Sequence, residues 1–93
     1  MSEVALTKLQ NEAIELARQI YRMPEGRCGG PLHIVLDDGN IETEHIQWCV
    51  DYINSDECDA SSEMKELCLK CADALLRLPV RKRCKVYTTF YEG

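Results

Sequence analysis

The sequence predicts a mainly α-helical fold of three to four helices with one short extended segment, built as a single domain over residues 1–93. Apolar residues recur at helical spacing in several separate stretches. A chain of 93 residues is the size of one small domain. Its hydrophobic content of 45% and charged content of 29% are typical of globular proteins, which excludes wholesale disorder.

Residues 3–22 are predicted to form the first helix. Either Ser2 or Thr7 is available as its N-cap. Pro24 and Gly26 follow and end the helical pattern. The apolar side of this helix consists of Leu6, Leu9, Ala13, Leu16, Ala17 and Ile20.

The extended segment is expected at residues 32–36, which are rich in branched side chains and short enough to form a buried strand. Residues 37–40 have the composition of a turn. Asn40 is then expected to cap a second helix over residues 41–54. A lone strand would leave its backbone groups unpaired, which is the weak point of an otherwise all-helical prediction.

Two more helices are predicted in the C-terminal part of the chain. Ser61 is expected to open one that runs to Leu78, and Pro79 to begin the last. Apolar spacing favours a helix in this last segment, yet residues 85–91 also have strong strand preference. The alternative is therefore an α+β fold in which residues 32–36 and 85–91 pair as a two-stranded sheet.

Six cysteines suggest either disulfides or a metal site. Residues 1–8 lack the pattern of a secretory signal, so we expect a soluble intracellular protein with reduced thiols. Cys68 and Cys71 have the gap of a zinc knuckle, but they continue the helical spacing of Met64 and Leu75. Both thiols are predicted to pack in the core as small hydrophobic groups.

Charge is unevenly distributed along the chain. Residues 37–66 carry ten acids and one lysine, whereas residues 67–93 have a charge of +4. The net charge of −5 argues against a nucleic-acid partner, so the basic residues 81–85 are expected to form a solvated surface. An acidic surface can instead bind a basic partner by complementary potentials. No apolar run is long enough to span a bilayer, and no membrane association is expected.

The candidate site lies in residues 29–40, with His45 in the next helix. Glycine at either end permits close backbone approach, and two imidazoles with a carboxylate would be an adequate ligand set for zinc or iron. The spacing matches no motif of known mechanism. Each residue also has an ordinary interpretation, as a turn glycine, a turn-capping acid or a hydrogen-bonded histidine. The candidate ligand- or partner-binding residues are Gly29, Gly30, His33, Asp37, Asp38, Asn40 and His45.

Two aromatic residues belong to the same helical stripe as His45. Trp48 and Tyr52 would supply an aromatic wall to a pocket, or would pack at the edge of the core. The sequence leaves both interpretations open.

The segment Gly-Gly-Pro-Leu-His-Ile-Val-Leu-Asp-Asp-Gly-Asn at residues 29–40, continued by residues 44–46 and 48–49, resembles a segment of small functionally unassigned proteins from bacteriophage and prophage genomes. The resemblance covers about residues 21–53. It implies a phage-encoded accessory protein that acts in the cytoplasm of a bacterial host, with counteraction of host defence as one role. It assigns no catalytic residue.

Three hypotheses follow, in order of preference. The first is an interaction protein that binds and modulates a host macromolecule, expected to be a protein, through its acidic middle segment. The second is a binding protein for a small nucleotide-like molecule, held by the loop at residues 29–40 and the following helix N-terminus. The third is a metal-dependent hydrolase that uses His33, Asp38 and His45. An enzyme is the least favoured, because no general base is recognisable beyond the proposed ligands.

Overall fold

The computed structural model describes residues 2–24 and 30–92, with side chains described up to residue 89. These residues are mainly helical, as predicted, and they contain no strand. They form five helices: α1 (Glu3–Arg22), α2 (His33–Leu36), α3 (Thr43–Ile53), α4 (Ser62–Arg77) and α5 (Val80–Glu92).

Serine caps open the two longest helices. The Ser2 hydroxyl accepts a hydrogen bond from the Ala5 amide at 3.2 Å, and the Ser61 hydroxyl accepts one from the Met64 amide at 3.2 Å. Each cap satisfies a first-turn N–H that has no partner within its helix. The predicted start of α1 and the cap of α4 are therefore confirmed.

The predicted strand at residues 32–36 is wrong, because this segment forms the single turn of α2. Its backbone groups pair locally, with the Leu36 amide donating to the Leu32 carbonyl at 3.1 Å and the Asp37 amide to the His33 carbonyl at 2.7 Å. Leu32, Val35 and Leu36 are buried, and their spacing of three and four residues places them on one side of a helix. A helical turn thus needs no partner strand, and the expected three to four helices become five in the described residues.

The predicted cap of α3 is also wrong. The helix begins at Thr43 with Glu42 in the N-cap position, and no side chain caps it. Asn40 lies too far upstream to do so; its amide nitrogen Nδ2 donates to Nδ1 of His45 instead. The turn at residues 37–40 is therefore followed by two further non-helical residues before α3 begins.

Residues 80–92 are helical, as the apolar spacing favoured, and the alternative two-stranded sheet is absent from the described residues. The Pro79 carbonyl accepts from the amides of Lys82 and Arg83, so Pro79 stands immediately before the first turn of α5. Val86 on α5 is buried in the core, as expected for the apolar side of a helix that packs on α1.

The core lies mainly between α1 and α4, with α5 against α1, α3 against α4, and α2 on α3. The prediction that Cys68 and Cys71 pack in the core is confirmed. No helix within the described ranges is long and apolar enough to cross a membrane. The largest fully buried side chains are Ile20, Leu32, Ile46, Ile53, Met64, Leu75 and Leu78.

Arg83 is the one charged side chain buried in the described part of the chain, with 4% of its surface exposed. Its Nε atom donates to the carbonyls of Leu75 at 2.6 Å and Leu78 at 3.0 Å, and Nη2 donates to that of Leu76 at 3.3 Å. These carbonyls lie at the C-terminal end of α4, where the helix leaves acceptors unpaired and its dipole attracts a cation.

The same guanidinium also holds the start of α3. Its Nη1 atom donates to the Ile41 carbonyl at 3.1 Å and to the Thr43 hydroxyl at 2.8 Å. Burial lowers the pKa of Arg83 from its usual value, while the nearby charge of Glu42 opposes that shift. Arg83 thus joins the end of α4 and the start of α3 to α5.

Candidate functional site

The exposed side of α3 carries a tryptophan between two acids. Glu44, Trp48 and Asp51 follow one another at spacings of four and three residues, so they lie along one side of the helix. All three are exposed. The opposite side consists of the buried residues Ile46, Cys49 and Ile53. We call Glu44, Trp48 and Asp51 the Trp48 ridge.

Trp48 is unusually exposed for a tryptophan, with 57% of its surface accessible. Its ring stacks on that of the half-buried Tyr52, with centroids 5.9 Å apart and planes 5° from parallel. The stack fixes the orientation of the indole while leaving much of it in water. Of the two interpretations of Trp48, packing at the core edge does not describe this position.

An open groove of about 350 Å³ adjoins the ridge where α2 packs on α3. It is lined by Ile34, Glu44, His45 and Trp48. The described lining therefore contains an apolar side chain, an indole, an imidazole and one carboxylate. Such a lining combines an apolar contact area with one charged group that would fix the orientation of an occupant.

His33 and Gly30 interact with each other near the start of α2. The Gly30 carbonyl accepts from the His33 amide at 2.9 Å and from its ring Nδ1 at 3.0 Å. His33 is exposed and does not line the groove. Gly29 lies outside the described residues. The hydrogen-bonded histidine, one of the ordinary interpretations, describes His33 best.

Asn40 and His45 are in direct contact through their side chains. The side-chain amide of Asn40 donates to Nδ1 of His45, and its backbone N–H donates to the Ile34 carbonyl at 3.2 Å. Asn40 therefore links the end of α2 to the imidazole that lines the groove. Of the two neighbouring acids, Asp37 is half-buried and caps the end of α2, and Asp38 is exposed.

Gly39 is required by the shape of the connection between α2 and α3. Its φ of +66° lies in the left-handed region, which favours glycine. A Cβ built on Gly39 would lie 2.9 Å from two ring carbons of Tyr87, closer than real Cβ contacts. The backbone here thus packs directly on an aromatic ring of α5.

The expected convergence of His33, one acid and His45 on a metal ion does not occur. Within residues 2–24 and 30–92, no three His, Cys, Asp or Glu side chains lie close enough together to hold an ion. The imidazoles of His33 and His45 instead hydrogen-bond Gly30 and Asn40 respectively. The structure therefore offers no argument for zinc or iron at this site.

Most acids around the ridge are not neutralised by neighbouring bases. Glu66 pairs with Lys70 at 3.1 Å. Apart from Glu66 and Asp37, the acids of residues 37–66 form no salt bridge with another described residue. The negative potential of this surface is consequently directed to solvent.

Four residues of the groove and ridge were missing from the predicted site residues: Ile34, Glu44, Trp48 and Asp51, although Trp48 was one candidate for an aromatic wall. The available signal was the spacing of Glu44, Trp48 and Asp51 on the side of α3 opposite its apolar stripe. A tryptophan on a polar helix side indicates a contact surface, and that pattern can be read without a structure.

No family of known proteins, no characterised protein and no solved structure matches this chain. The resemblance to small phage and prophage proteins therefore stays a prediction.

Proposed function

We propose that this protein is a small interaction module that binds a basic surface of a partner protein through the Trp48 ridge. The observation that carries the proposal is the exposure of Trp48 between two acids on the solvent side of α3. Tryptophan is among the residues that contribute most to binding energy at protein interfaces.

Charge supports a basic partner. Residues 37–66 have a charge of −9, and the exposed acids of α3 lie within this segment. A partner with a positive patch would be attracted to this acidic surface before contact, and the same attraction would orient the partner. A nucleotide-like ligand in the same groove is less well supported, because Glu44 would repel its phosphates.

The proposed setting is a bacterial cell infected by, or carrying, a phage. This part of the proposal rests on the resemblance of residues 29–40 to small phage and prophage proteins. The partner would then be a host protein, and the effect of binding would be to inhibit or redirect it. An interaction module of this kind requires no active site.

The test is affinity capture from bacterial lysate with matched surface variants. Immobilised wild-type protein should retain a specific protein that Trp48→Ser loses and Val4→Ser retains. Val4 is the matched control because it is an apolar residue with 79% exposure on α1. Truncating a central tryptophan should weaken binding by about tenfold or more.

The captured protein should also be released by salt and should bind Asp51→Lys more weakly than wild type, because the attraction is electrostatic at an exposed surface. Retention of the same proteins by wild type and Trp48→Ser would contradict the proposal. So would a partner whose retention is insensitive to salt and to the charge at Asp51.

A further inference from the structure

We propose that the groove beside Trp48 receives an arginine side chain of the partner; this inference rests on the proposed function and names the group that the surface recognises. The groove presents a carboxylate, an aromatic ring and an apolar side chain to one occupant, from Glu44, Trp48 and Ile34. The guanidinium group of arginine has a matching surface for each of them.

The occupant should be a cation. Among the described residues that line the groove, Glu44 carries a full negative charge and none is lysine or arginine. Glu44 also has no salt bridge to another described residue. Its carboxylate can therefore form new charge-assisted hydrogen bonds without first releasing an internal partner.

Arginine fits this lining better than lysine. A planar guanidinium can stack on an indole while it donates two parallel hydrogen bonds to a carboxylate, which an ammonium group cannot do. Its aliphatic stem would lie against Ile34. Because Tyr52 already stacks on Trp48 at 5.9 Å, the indole is ordered before an occupant arrives, which lowers the entropic cost of binding.

The chain contains one tryptophan, so intrinsic fluorescence reports on this groove directly. The probes are three capped peptides of sequence Gly-Gly-X-Gly-Gly in which X is arginine, lysine or citrulline. Citrulline keeps the shape of arginine and removes its charge. At low salt the arginine peptide should change Trp48 fluorescence saturably, with a Kd on the order of millimolar, as expected for one anchoring side chain.

The lysine peptide should bind several-fold more weakly and the citrulline peptide at least about tenfold more weakly, because both lose the charged bidentate pair. Glu44→Gln should weaken binding of the arginine peptide by about tenfold. Asp51→Asn is the matched control, since Asp51 is the other acid of the ridge and does not line the groove; it should change the Kd by less than about twofold.

Equal binding of the arginine and citrulline peptides, or equal binding by wild type and Glu44→Gln, would overturn the arginine site. A partner that requires Trp48 but tolerates Glu44→Gln would overturn it too, while leaving the proposed function intact. Conversely, arginine-selective binding in the groove without any Trp48-dependent partner would overturn the proposed function. Self-association abolished by Glu44→Gln would identify a second copy as the arginine donor and overturn the assignment to a partner protein.

Discussion

Arg83 is the side chain whose loss should destabilise the protein most. Replacing it with methionine keeps much of its volume but removes the guanidinium donor from the carbonyls of Leu76, Leu78 and Ile41, whereas the Leu75 carbonyl keeps the Leu78 amide as a donor. Unpaired buried acceptors cost about 1–3 kcal/mol each, so we expect Arg83→Met to lower the free energy of unfolding by about 3–5 kcal/mol. Urea denaturation measures this loss.

The control is Arg81→Met, since Arg81 is exposed in the first turn of the same helix. It should change the free energy of unfolding by less than about 0.5 kcal/mol. Equal effects of the two substitutions would show that the buried guanidinium network is not a principal source of stability.

Gly39 should tolerate no side chain. The Gly39→Ala substitution places a methyl group against the Tyr87 ring and forces a left-handed φ on alanine. We expect a loss of about 1–3 kcal/mol in the free energy of unfolding. Repeating the substitution in a Tyr87→Ala background separates the two causes: the backbone term of about 1 kcal/mol should persist and the steric term should disappear. An additive double-mutant cycle would refute the contact.

Cys71 should make stability depend on alkaline pH. Burial, reinforced by Cys68, raises the pKa of the Cys71 thiol to about 12, whereas the ordinary value is 9.0. The folded state therefore keeps the proton longer than the unfolded state. The stabilisation from the protonated thiol is fully present below the pKa of the unfolded state. It is lost as pH rises from there to about 12, where the free energy of unfolding falls by about 1.4 kcal/mol per pH unit.

Urea denaturation between about pH 8 and about pH 11 should accordingly show a falling free energy of unfolding, with a shallower fall in Cys71→Ala. Cys84→Ala is the control, because Cys84 is exposed, and it should retain the wild-type slope. Identical slopes in wild type and Cys71→Ala would contradict the assignment.

At the scale of elements, helix α4 depends on its cap. Ser61→Ala removes the acceptor for the Met64 amide and should cost about 1 kcal/mol. Ser62→Ala, one residue later and also exposed, should be nearly neutral. Thermal unfolding of the two variants under matched conditions distinguishes them. Equal destabilisation by Ser62→Ala and Ser61→Ala would show that the cap does not account for the loss of stability.

Long helices could be predicted from the sequence because their apolar spacing and caps are local signals. The bounds of α1 and the Ser61 cap followed from these signals. Residues 32–36 could not be assigned in this way, since a run of five apolar residues fits a strand or a helical turn equally well. Among the described residues no strand lies beside this segment, and that information belongs to the tertiary structure.

The contacts of the candidate site residues could not be predicted from the sequence. Asn40 and His45 do interact, but His33 is held by Gly30 and the ligand set does not form in the described residues. Sequence proximity did not show which side chains share a surface, because that depends on how α2 packs on α3. The exposure of Trp48 could be predicted from the sequence, because the apolar residues Ile46, Cys49 and Ile53 set which side of α3 faces the core.

At the scale of the whole molecule, acidic charge and aromatic exposure occur together. The acidic segment 37–66 contains α3, and the Trp48 ridge lies on the solvent side of that helix. Arg83, from the basic segment that follows, is buried and holds this acidic region in place. The two acids of the ridge, Glu44 and Asp51, form no salt bridge with another described residue.

Site-specific photocrosslinking inside bacterial cells is the most direct test of the proposal that the Trp48 ridge binds a partner protein. A photoreactive residue is placed at Gln47, exposed beside Trp48, or at Asn11, an exposed amide on α1. We predict one dominant adduct with a basic host protein from position 47, lost on Trp48→Ser and not formed from position 11. Adducts that are the same from both positions, or that persist without Trp48, would contradict a binding surface on α3.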